Sequence, residues 1–253
     1  MFTPLEAQRV ALITDFDGTL SPIVDDPEHA LALPAALDAL RSLVGQVGLV
    51  AIVSGRPVEF LQTRVPIDGV ALVGQYGLER IVDGEVVVDA RVTPYLRGVT
   101  DAAAEAAQRW PELHIERKGD LAFTVHWRTR PSLAPSFTEL ARLADRHGLV
   151  AQPGRRACEL RTPVPVDKGR IVHELVLGAG LDTGHGVFVG DDLGDLTAFD
   201  ALDRQREHTD GEFGIVRVAV RSPEAPPELL ERADVIVDGP EGVAEFLRSL
   251  VRP

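Results

Sequence analysis

The chain has 253 residues and a net charge of −13, and 45% of its residues are hydrophobic. This length suits one sizeable core, with or without a small second domain. The sequence has no cluster of Lys and Arg that could form a basic face, which argues against a nucleic-acid or anionic-membrane partner. No segment approaches the roughly 18 uninterrupted apolar residues of a membrane span, and the first residues lack a signal-peptide pattern. We therefore expect a cytoplasmic protein.

The first part of the chain predicts a parallel α/β sheet, because short apolar runs alternate with helical patterns. The Asp83-Gly84 pair between two Val-rich runs is typical of a hairpin turn. The predicted elements are strands over 10–14, 49–53 and 70–73, helices after Pro34 and over 57–65, and hairpin strands over 81–82 and 86–88.

The order of elements then changes to helix, two strands, helix, two strands, which is typical of a small sheet with helices on one face. These elements are helices over 94–110 and 136–147 and strands over 113–118, 121–128, 149–152 and 157–161. We expect residues 92–165 to form an inserted α+β cap domain. Residues 1–91 and 166–253 would then form one discontinuous core.

The parallel pattern resumes after the two prolines Pro163 and Pro165. The remaining predictions are helices over 168–177 and 243–251 and strands over 187–189, 216–220 and 235–237. The fold class expected for the core is therefore a Rossmann-like α/β domain with a parallel sheet.

Polar residues follow the predicted strands. Asp15 and Asp17 follow the first strand, Ser54 follows the second, and Asp191 follows strand 187–189. Ligands of open parallel sheets bind at these strand ends, where Lys168 also begins a helix. Two carboxylates about 4 Å apart repel by about 4 kcal/mol at an effective dielectric near 20, so the cluster calls for a cation. Hard oxygen ligands without a His or Cys cluster match Mg²⁺, which completes its shell with water and phosphate.

These residues also carry a resemblance to known proteins. Asp15-Phe16-Asp17-Gly18-Thr19-Leu20 resembles the first motif of the haloacid-dehalogenase-like (HAD) phosphatases, and Ser54-Gly55-Arg56 resembles the second. Lys168-Gly169 is similar to the third motif, and Gly190-Asp191-Asp192 with Asp195 is similar to the fourth. All four stand in the order of that superfamily. The resemblance implies the HAD fold, with a phosphatase site on the core.

A narrower resemblance is to the trehalose-6-phosphate phosphatase family, and it covers most of the chain up to about Ala201. The similar segments are 15–27, 116–119, 126–128, 159–161 and 166–169. Two positions depart from the usual family pattern. Leu196 stands where a second acid is expected after Asp195, and Gln75-Tyr76 replaces the usual Asn-His or a similar pair.

The resemblance implies a role for each core residue. Asp15 would be the nucleophile that forms an aspartyl-phosphate. Asp17 would protonate the leaving sugar oxygen and then activate water. Mg²⁺ would be held by the Asp15 side chain, the Asp17 backbone carbonyl and Asp191. Ser54 and Lys168 would bind the other phosphoryl oxygens. Asp192 and Asp195 would orient water or Lys168 without binding the phosphoryl group themselves.

Sugar binding is expected from Lys118, Glu159 and Arg161 of the cap and from Arg56 and Gln75 of the core. The leading hypothesis is hydrolysis of trehalose 6-phosphate, and the sequence sets no oligomeric state, a monomer being compatible with it. The closest alternative is the same chemistry on a sucrose, mannosylglycerate or pseudo-disaccharide phosphate. Alternatives of another class are a phospho-accepting receiver-like module, against which Asp17 and the cap argue, and a binding protein without catalysis.

Overall fold

The structure, a computed structural model, describes residues 2–24, 26–154 and 156–250. The chain divides into two compact units, each formed from segments that are distant in sequence. The first, here called the core unit, contains Met1–Val24, Glu28–Val86 and Val166–Pro253. The second, here called the cap unit, contains Asp25–Pro27 and Val87–Pro165.

The strands and helices are numbered in chain order. The strands are β1 (Val10–Thr14), β2 (Leu49–Val53), β3 (Val70–Gly74), β4 (Glu79–Val82), β5 (Glu85–Val88), β6 (His114–Lys118), β7 (Ala122–His126), β8 (Val150–Gly154), β9 (Ala157–Arg161), β10 (His185–Gly190), β11 (Gly214–Arg221) and β12 (Val235–Asp238). The helices are α1 (Pro4–Ala7), α2 (Pro34–Leu43), α3 (Val58–Arg64), α4 (Leu96–Arg109), α5 (Phe137–Arg146), α6 (Lys168–Gly178), α7 (Leu196–His208), α8 (Pro227–Arg232) and α9 (Gly239–Ser249).

The sheet of the core unit has the strand order β12-β11-β10-β1-β2-β3-β4-β5. Strands β12 to β3 in this order are parallel, and β4 pairs antiparallel with β3. Every residue of β1 is buried, as expected for a central strand covered on both faces. The chain leaves β1 toward β2 on one side and later returns to β10 on the other. The carboxyl ends of these three strands therefore lie next to one another at a topological switch point, the usual ligand site of such sheets.

Two apolar layers cover the sheet of the core unit. One layer contains Leu40 of α2, Leu61 of α3 and Leu247 of α9. The other contains Ile171 of α6 and Phe199 of α7. The helix α6 begins at Lys168, because the Asp167 side chain caps it by accepting a hydrogen bond from the backbone N–H of Arg170 (2.9 Å). This cap fixes the lysine at the first position of the helix.

The cap unit has a four-stranded antiparallel sheet with the order β6-β7-β9-β8. Alternate residues point to opposite faces of a strand, and one face of this sheet carries Phe123, Val125 and Leu160, which pack with residues of α4 and α5. Cys158 is buried in the same cluster. The opposite face is polar and is described below.

The expected fold class is present: the core unit has a parallel α/β sheet and the cap unit an α+β arrangement. Strands β1, β2 and β9 have the bounds predicted from the sequence. Helices α1 and α8 were not predicted, and the helix expected after Asp195 is α7. A 3₁₀ turn occupies Ala90–Tyr95, so helix α4 begins at Leu96 and not at Pro94. Across the described ranges, none of the helices is both long and apolar enough to cross a membrane.

Candidate active site at the strand ends of the core sheet

Lys168 connects two acidic side chains of the core unit. Its Nζ lies 2.9 Å from Oδ1 of Asp15 and donates a hydrogen bond to Oδ1 of Asp195 at 2.6 Å. Asp15 directly follows β1, and its backbone N–H donates to the carbonyl of Val189 in β10 (2.9 Å). All three side chains are buried, with 4% of Lys168 and none of Asp195 exposed. The predicted nucleophile and the predicted phosphate-binding lysine therefore meet directly.

Burial shifts the protonation of this cluster. Desolvation raises the pKa of Asp15 well above its ordinary value, and Asp195, Asp191 and Asp192 raise it further, against the opposite effect of Lys168. Burial also raises the pKa of Asp195. For Lys168, burial favours a lower pKa, but the carboxylates of Asp15 and Asp195 outweigh it and raise that pKa well above the ordinary value. The lysine therefore stays charged, whereas burial and mutual repulsion oppose the ionisation of the acids beside it.

A third carboxylate completes the cluster. Carboxylate oxygens of Asp15, Asp191 and Asp195 all lie within 4.8 Å of one another, a spacing that can hold a metal ion. Gly18 has a φ of +76°, and a Cβ built on it would overlap the carboxylate of Asp191. Glycine is required here because the chain after Asp17 passes directly against that carboxylate. The backbone next to Asp17 and the side chain of Asp191 therefore lie close together, as they must if both are to bind the same metal ion.

Asp195 holds this arrangement together. Its second oxygen, Oδ2, accepts hydrogen bonds from the backbone N–H groups of Asp191 (2.8 Å) and Asp192 (3.0 Å). Asp192 is exposed and caps the 3₁₀ turn Leu193–Asp195 through a bond from the N–H of Gly194 (2.6 Å). The expectation that Asp195 orients Lys168 agrees with this geometry. The oxygens of Asp195 are engaged by Lys168 and two amides, which leaves Asp15 and Asp191 as the carboxylates better suited to a cation.

Ser54 and Arg56 follow β2. Ser54 is buried, and its Oγ accepts a hydrogen bond from the N–H of Arg56 (3.2 Å). The guanidinium of Arg56 donates two hydrogen bonds to the carboxylate of Asp17, from Nε to Oδ2 at 2.7 Å and from Nη2 to Oδ1 at 2.8 Å. The two predicted acids are therefore held by different cations, Asp15 by Lys168 and Asp17 by Arg56.

Gln75 lies in a turn after β3. The turn is unusual, since Gln75, Tyr76 and Gly77 all have positive φ, at 51°, 55° and 106°. Backbone bonds fix it to the preceding motif, from the N–H of Gln75 to the carbonyl of Arg56 (3.0 Å) and from that of Tyr76 to the carbonyl of Ser54 (2.9 Å). The side chain of Gln75 is buried. The structure thus brings Gln75 next to the Ser54 segment.

The polar face of the cap sheet carries the predicted cap residues. Lys118 Nζ donates to Oε2 of Glu159 at 2.5 Å, and both side chains are mostly buried. Arg161 lies two residues beyond Glu159 in β9 and is therefore on the same face. We call the following set the cap polar face: Glu116, Lys118, Thr124, His126, Glu159 and Arg161.

Sequence reasoning missed some polar contacts. On the cap polar face, Nε2 of His126 lies 2.7 Å from Oε2 of buried Glu116. In the core unit, buried Glu79 accepts a bond from the N–H of Val58 (2.8 Å) at the start of α3. The Glu116–His126 pair could have been found, because both residues have the strand parity of Lys118 about the Gly119-Asp120 turn. Glu79 offers no such signal.

The core sheet thus has Asp-x-Asp after its central strand, Ser after one neighbouring strand and Asp after the other, with a buried Lys at a helix start, which is the arrangement that the resemblance to the HAD-like phosphatases predicts. A haloacid dehalogenase-like hydrolase from Bacteroides thetaiotaomicron shares the fold, with a TM-score of 0.60 and 17% identity over 94% of this chain and 97% of that one. The expected HAD fold is confirmed.

The chain belongs to the trehalose-phosphatase family, whose sequence model matches residues 13–229. It is 30% identical over 257 residues to the trehalose-phosphate phosphatase of Mycobacterium tuberculosis, covering 98% of this chain and 63% of that protein. It is 36% identical over 209 residues to an uncharacterized glycosyl hydrolase of the same species, covering 78% of this chain and 16% of that protein.

A solved structure agrees with this assignment. The C-terminal domain of the Candida albicans trehalose-6-phosphate phosphatase matches with a TM-score of 0.75 and 27% identity over 98% of this chain and 96% of that one. The resemblance inferred from the sequence is thereby confirmed. The chain nevertheless spans less than two thirds of the length of the curated relatives described above.

Proposed function

We propose that this chain is a Mg²⁺-dependent phosphatase that hydrolyses trehalose 6-phosphate to trehalose and phosphate. The observation that carries the proposal is the buried contact of Lys168 with Asp15 beside Asp191, in a chain of the trehalose-phosphatase family. A lysine held charged against an acid at a strand end is suited to bind a phosphoryl group next to its nucleophile. We place the reaction in the cytoplasm, in keeping with a chain whose only cysteine is unpaired and buried.

The reaction would proceed in two displacements. A carboxylate oxygen of Asp15 attacks the phosphorus, and the bond from phosphorus to the sugar oxygen breaks. Asp17 gives its proton to that sugar oxygen as trehalose leaves. Water then attacks the phosphorus of the aspartyl-phosphate, Asp17 takes up the water's proton, and Asp15 is released together with phosphate. Lys168 and Ser54 bind the phosphoryl oxygens throughout.

The residues present fit a magnesium ion. The donor set is all oxygen, and the carboxyl groups of Asp15, Asp191 and Asp195 disfavour one another's ionisation, which a divalent cation would offset. The carboxylates of Asp15 and Asp191 and the backbone carbonyl of Asp17 would hold the ion. When bound, Mg²⁺ would neutralise charge on the phosphoryl oxygens. Asp195 would support the site through Lys168 and Asp192 through its turn, without binding the ion.

The sugar would be recognised by hydrogen bonds from charged and polar side chains. Lys118, Glu159 and Arg161 offer donors and acceptors on the cap polar face, and an ion pair there can exchange a bond for a sugar hydroxyl. Gln75 of the core unit would add a further polar contact. Binding requires no second chain in this proposal. Sucrose, mannosylglycerate and pseudo-disaccharide phosphates are the substrates with which trehalose 6-phosphate must be compared.

The test is phosphate release from trehalose 6-phosphate, glucose 6-phosphate, sucrose 6-phosphate and para-nitrophenyl phosphate, each with Mg²⁺ and with EDTA. Asp15→Asn is the blank. We expect a Mg²⁺-dependent rate on the trehalose ester far above the others, lost in the variant. Similar slow rates on every ester would contradict the trehalose assignment but retain the phosphatase. No turnover of any ester would indicate a binding protein without catalysis.

A further inference from the structure

Arg56 is built into the core unit as a clamp on Asp17. Its two hydrogen bonds of 2.7 and 2.8 Å engage both oxygens of the carboxylate, the bidentate geometry that only an arginine side chain provides. The guanidinium is the more deeply buried partner, because 10% of the Arg56 side chain is exposed against 30% of Asp17. An incoming ligand thus reaches the carboxylate more readily than the cation that holds it.

An aromatic ring supports the clamp. The guanidinium carbon of Arg56 lies 4.5 Å from the centroid of the Phe60 ring, one helical turn later in the chain. The guanidinium of Arg64 also contacts this ring, at 4.8 Å. Phe60 in turn meets the edge of Phe16, which lies between Asp15 and Asp17 in sequence, with ring centroids 5.8 Å apart.

Arg64, the last side chain of this group, is fixed by hydrogen bonds to the backbone. Arg64 donates from Nε to the carbonyl of Ala30 (3.0 Å) and from Nη2 to that of Glu28 (2.9 Å). Phe60 and Arg64 are four residues apart in α3, which places their side chains on the same face of that helix. Rotation of the Arg56 side chain is therefore restricted both by its hydrogen bonds to Asp17 and by the Phe60 ring.

We propose that Arg56 and Phe60 are positioning residues that aim the Asp17 carboxyl at the sugar oxygen, and that Arg56 does not bind the sugar. The inference rests on the proposed function, in which Asp17 transfers the proton. It replaces the expectation that Arg56 is a substrate-binding residue. Lysine at position 56 would keep the charge but lose the paired bonds and the flat contact with the ring. Leucine at position 60 would keep apolar bulk but remove the ring face.

The experiment compares two substrates whose leaving groups differ in their need for a proton. A sugar alkoxide is a poor leaving group that needs the proton from Asp17, whereas para-nitrophenolate leaves without one. We expect Arg56→Lys and Phe60→Leu to lower kcat on trehalose 6-phosphate by about 100-fold, with KM within about threefold of the wild-type value. On para-nitrophenyl phosphate, rapid mixing should show a burst of nitrophenolate at the wild-type rate. A slower steady state should follow, because Asp17 also activates the water of the second step.

The amplitude of the burst gives the concentration of correctly folded enzyme. Every rate can therefore be corrected for the fraction of protein that is unfolded. Arg80→Lys is the matched control, because Arg80 lies in the same unit and is paired with Glu174 at 3.2 Å on the surface. It should leave all rates unchanged.

Three results would overturn the inference. A raised KM with unchanged kcat would make Arg56 a substrate-binding residue. An equal loss in the rate of the first turnover on both esters, or a variant without a burst, would give the clamp only a structural role. Failure of the proposed function is a separate outcome, since the wild type itself would then release no phosphate that depends on Asp15, and the inference would fall with it.

Discussion

Charge is arranged differently in the core site and on the cap polar face. In the core unit, the acids Asp15, Asp191 and Asp195 cluster around the buried lysine Lys168. On the cap polar face, Lys118 forms an ion pair with Glu159, and His126 lies within hydrogen-bond distance of Glu116. The unbalanced cluster demands a further positive charge, which suits phosphate chemistry with a metal ion. The Lys118–Glu159 ion pair makes no such demand, and it suits the exchange of hydrogen bonds with sugar hydroxyls.

The largest effect expected from this comparison is at the nucleophile. Asp15→Asn should reduce turnover of trehalose 6-phosphate and of para-nitrophenyl phosphate alike by about 10⁴-fold or more, because every ester passes through the same attack on phosphorus. Phosphate release measures it. Asp38→Asn is the control, since Asp38 is exposed and paired with Arg41 (2.7 Å) on α2, and it should change neither rate. Unequal losses on the two esters would contradict the role given to Asp15.

Substitution of Lys168 tests, through the stability of the protein, the cluster in which three acids surround this lysine. Lys168→Met should lower the free energy of unfolding by about 3–5 kcal/mol, because it leaves buried acids without their cation. Urea unfolding measures the change. Adding Asp195→Asn to the same chain should recover part of the loss, since it removes one of the stranded charges. No recovery in the double variant would indicate that the two side chains are not energetically coupled.

The balanced pair on the cap polar face should affect sugar esters selectively. Lys118→Met and Glu159→Gln should each lower kcat/KM for trehalose 6-phosphate by about 10- to 100-fold, through loss of hydrogen bonds to charged groups. Para-nitrophenyl phosphate has no sugar, and its kcat/KM should stay the same. Steady-state kinetics with both esters decide the matter. If kcat/KM fell equally for both esters, Lys118 and Glu159 would act in phosphoryl transfer and not in sugar recognition.

The smallest effect is expected from an exposed ion-pair network at the β11–β12 side of the core sheet. Hydrogen bonds from Arg217 hold the pKa of Asp234 below its ordinary value, although burial acts in the opposite direction. A lowered pKa in the folded state means that stabilisation is present at neutral pH and is lost as the pH falls through that value.

Asp234→Asn should therefore cost about 0.5–1 kcal/mol at pH 7, as is usual for exposed pairs, and leave phosphatase activity intact. The difference between the variant and the wild type should shrink with acidification, as measured by unfolding at several pH values. A difference that grew in acid would contradict the assigned pKa direction.

The sequence predicts the core unit well because its signals are local. Strands β1 and β2 are continuous apolar runs that end in polar residues, and their bounds and the following Asp15 and Ser54 are found as expected. The bounds of helix α7 were not predicted, because its buried residues form a narrow stripe, with Ala198, Phe199 and Leu202 among polar neighbours. The helical pattern is weak there, and packing against the sheet stabilises the helix.

The contacts within the site were less predictable. The pairing of Lys118 with Glu159 joins side chains 41 positions apart, and it depends on a strand register that no local pattern encodes. Arg56 is predicted to contact the substrate, and the sequence gives no indication of its two bonds to Asp17. Residue type indicated that an arginine belonged in the site, but only the fold shows which group it holds.

The stereochemical course at phosphorus tests the central claim, attack by Asp15, most directly. The substrate is a trehalose 6-thiophosphate made chiral with oxygen isotopes and hydrolysed in isotopically labelled water. Each in-line displacement inverts the configuration, so two displacements through an aspartyl-phosphate predict net retention. Net inversion would show that water attacks the ester directly, and it would contradict the role of Asp15 as the nucleophile.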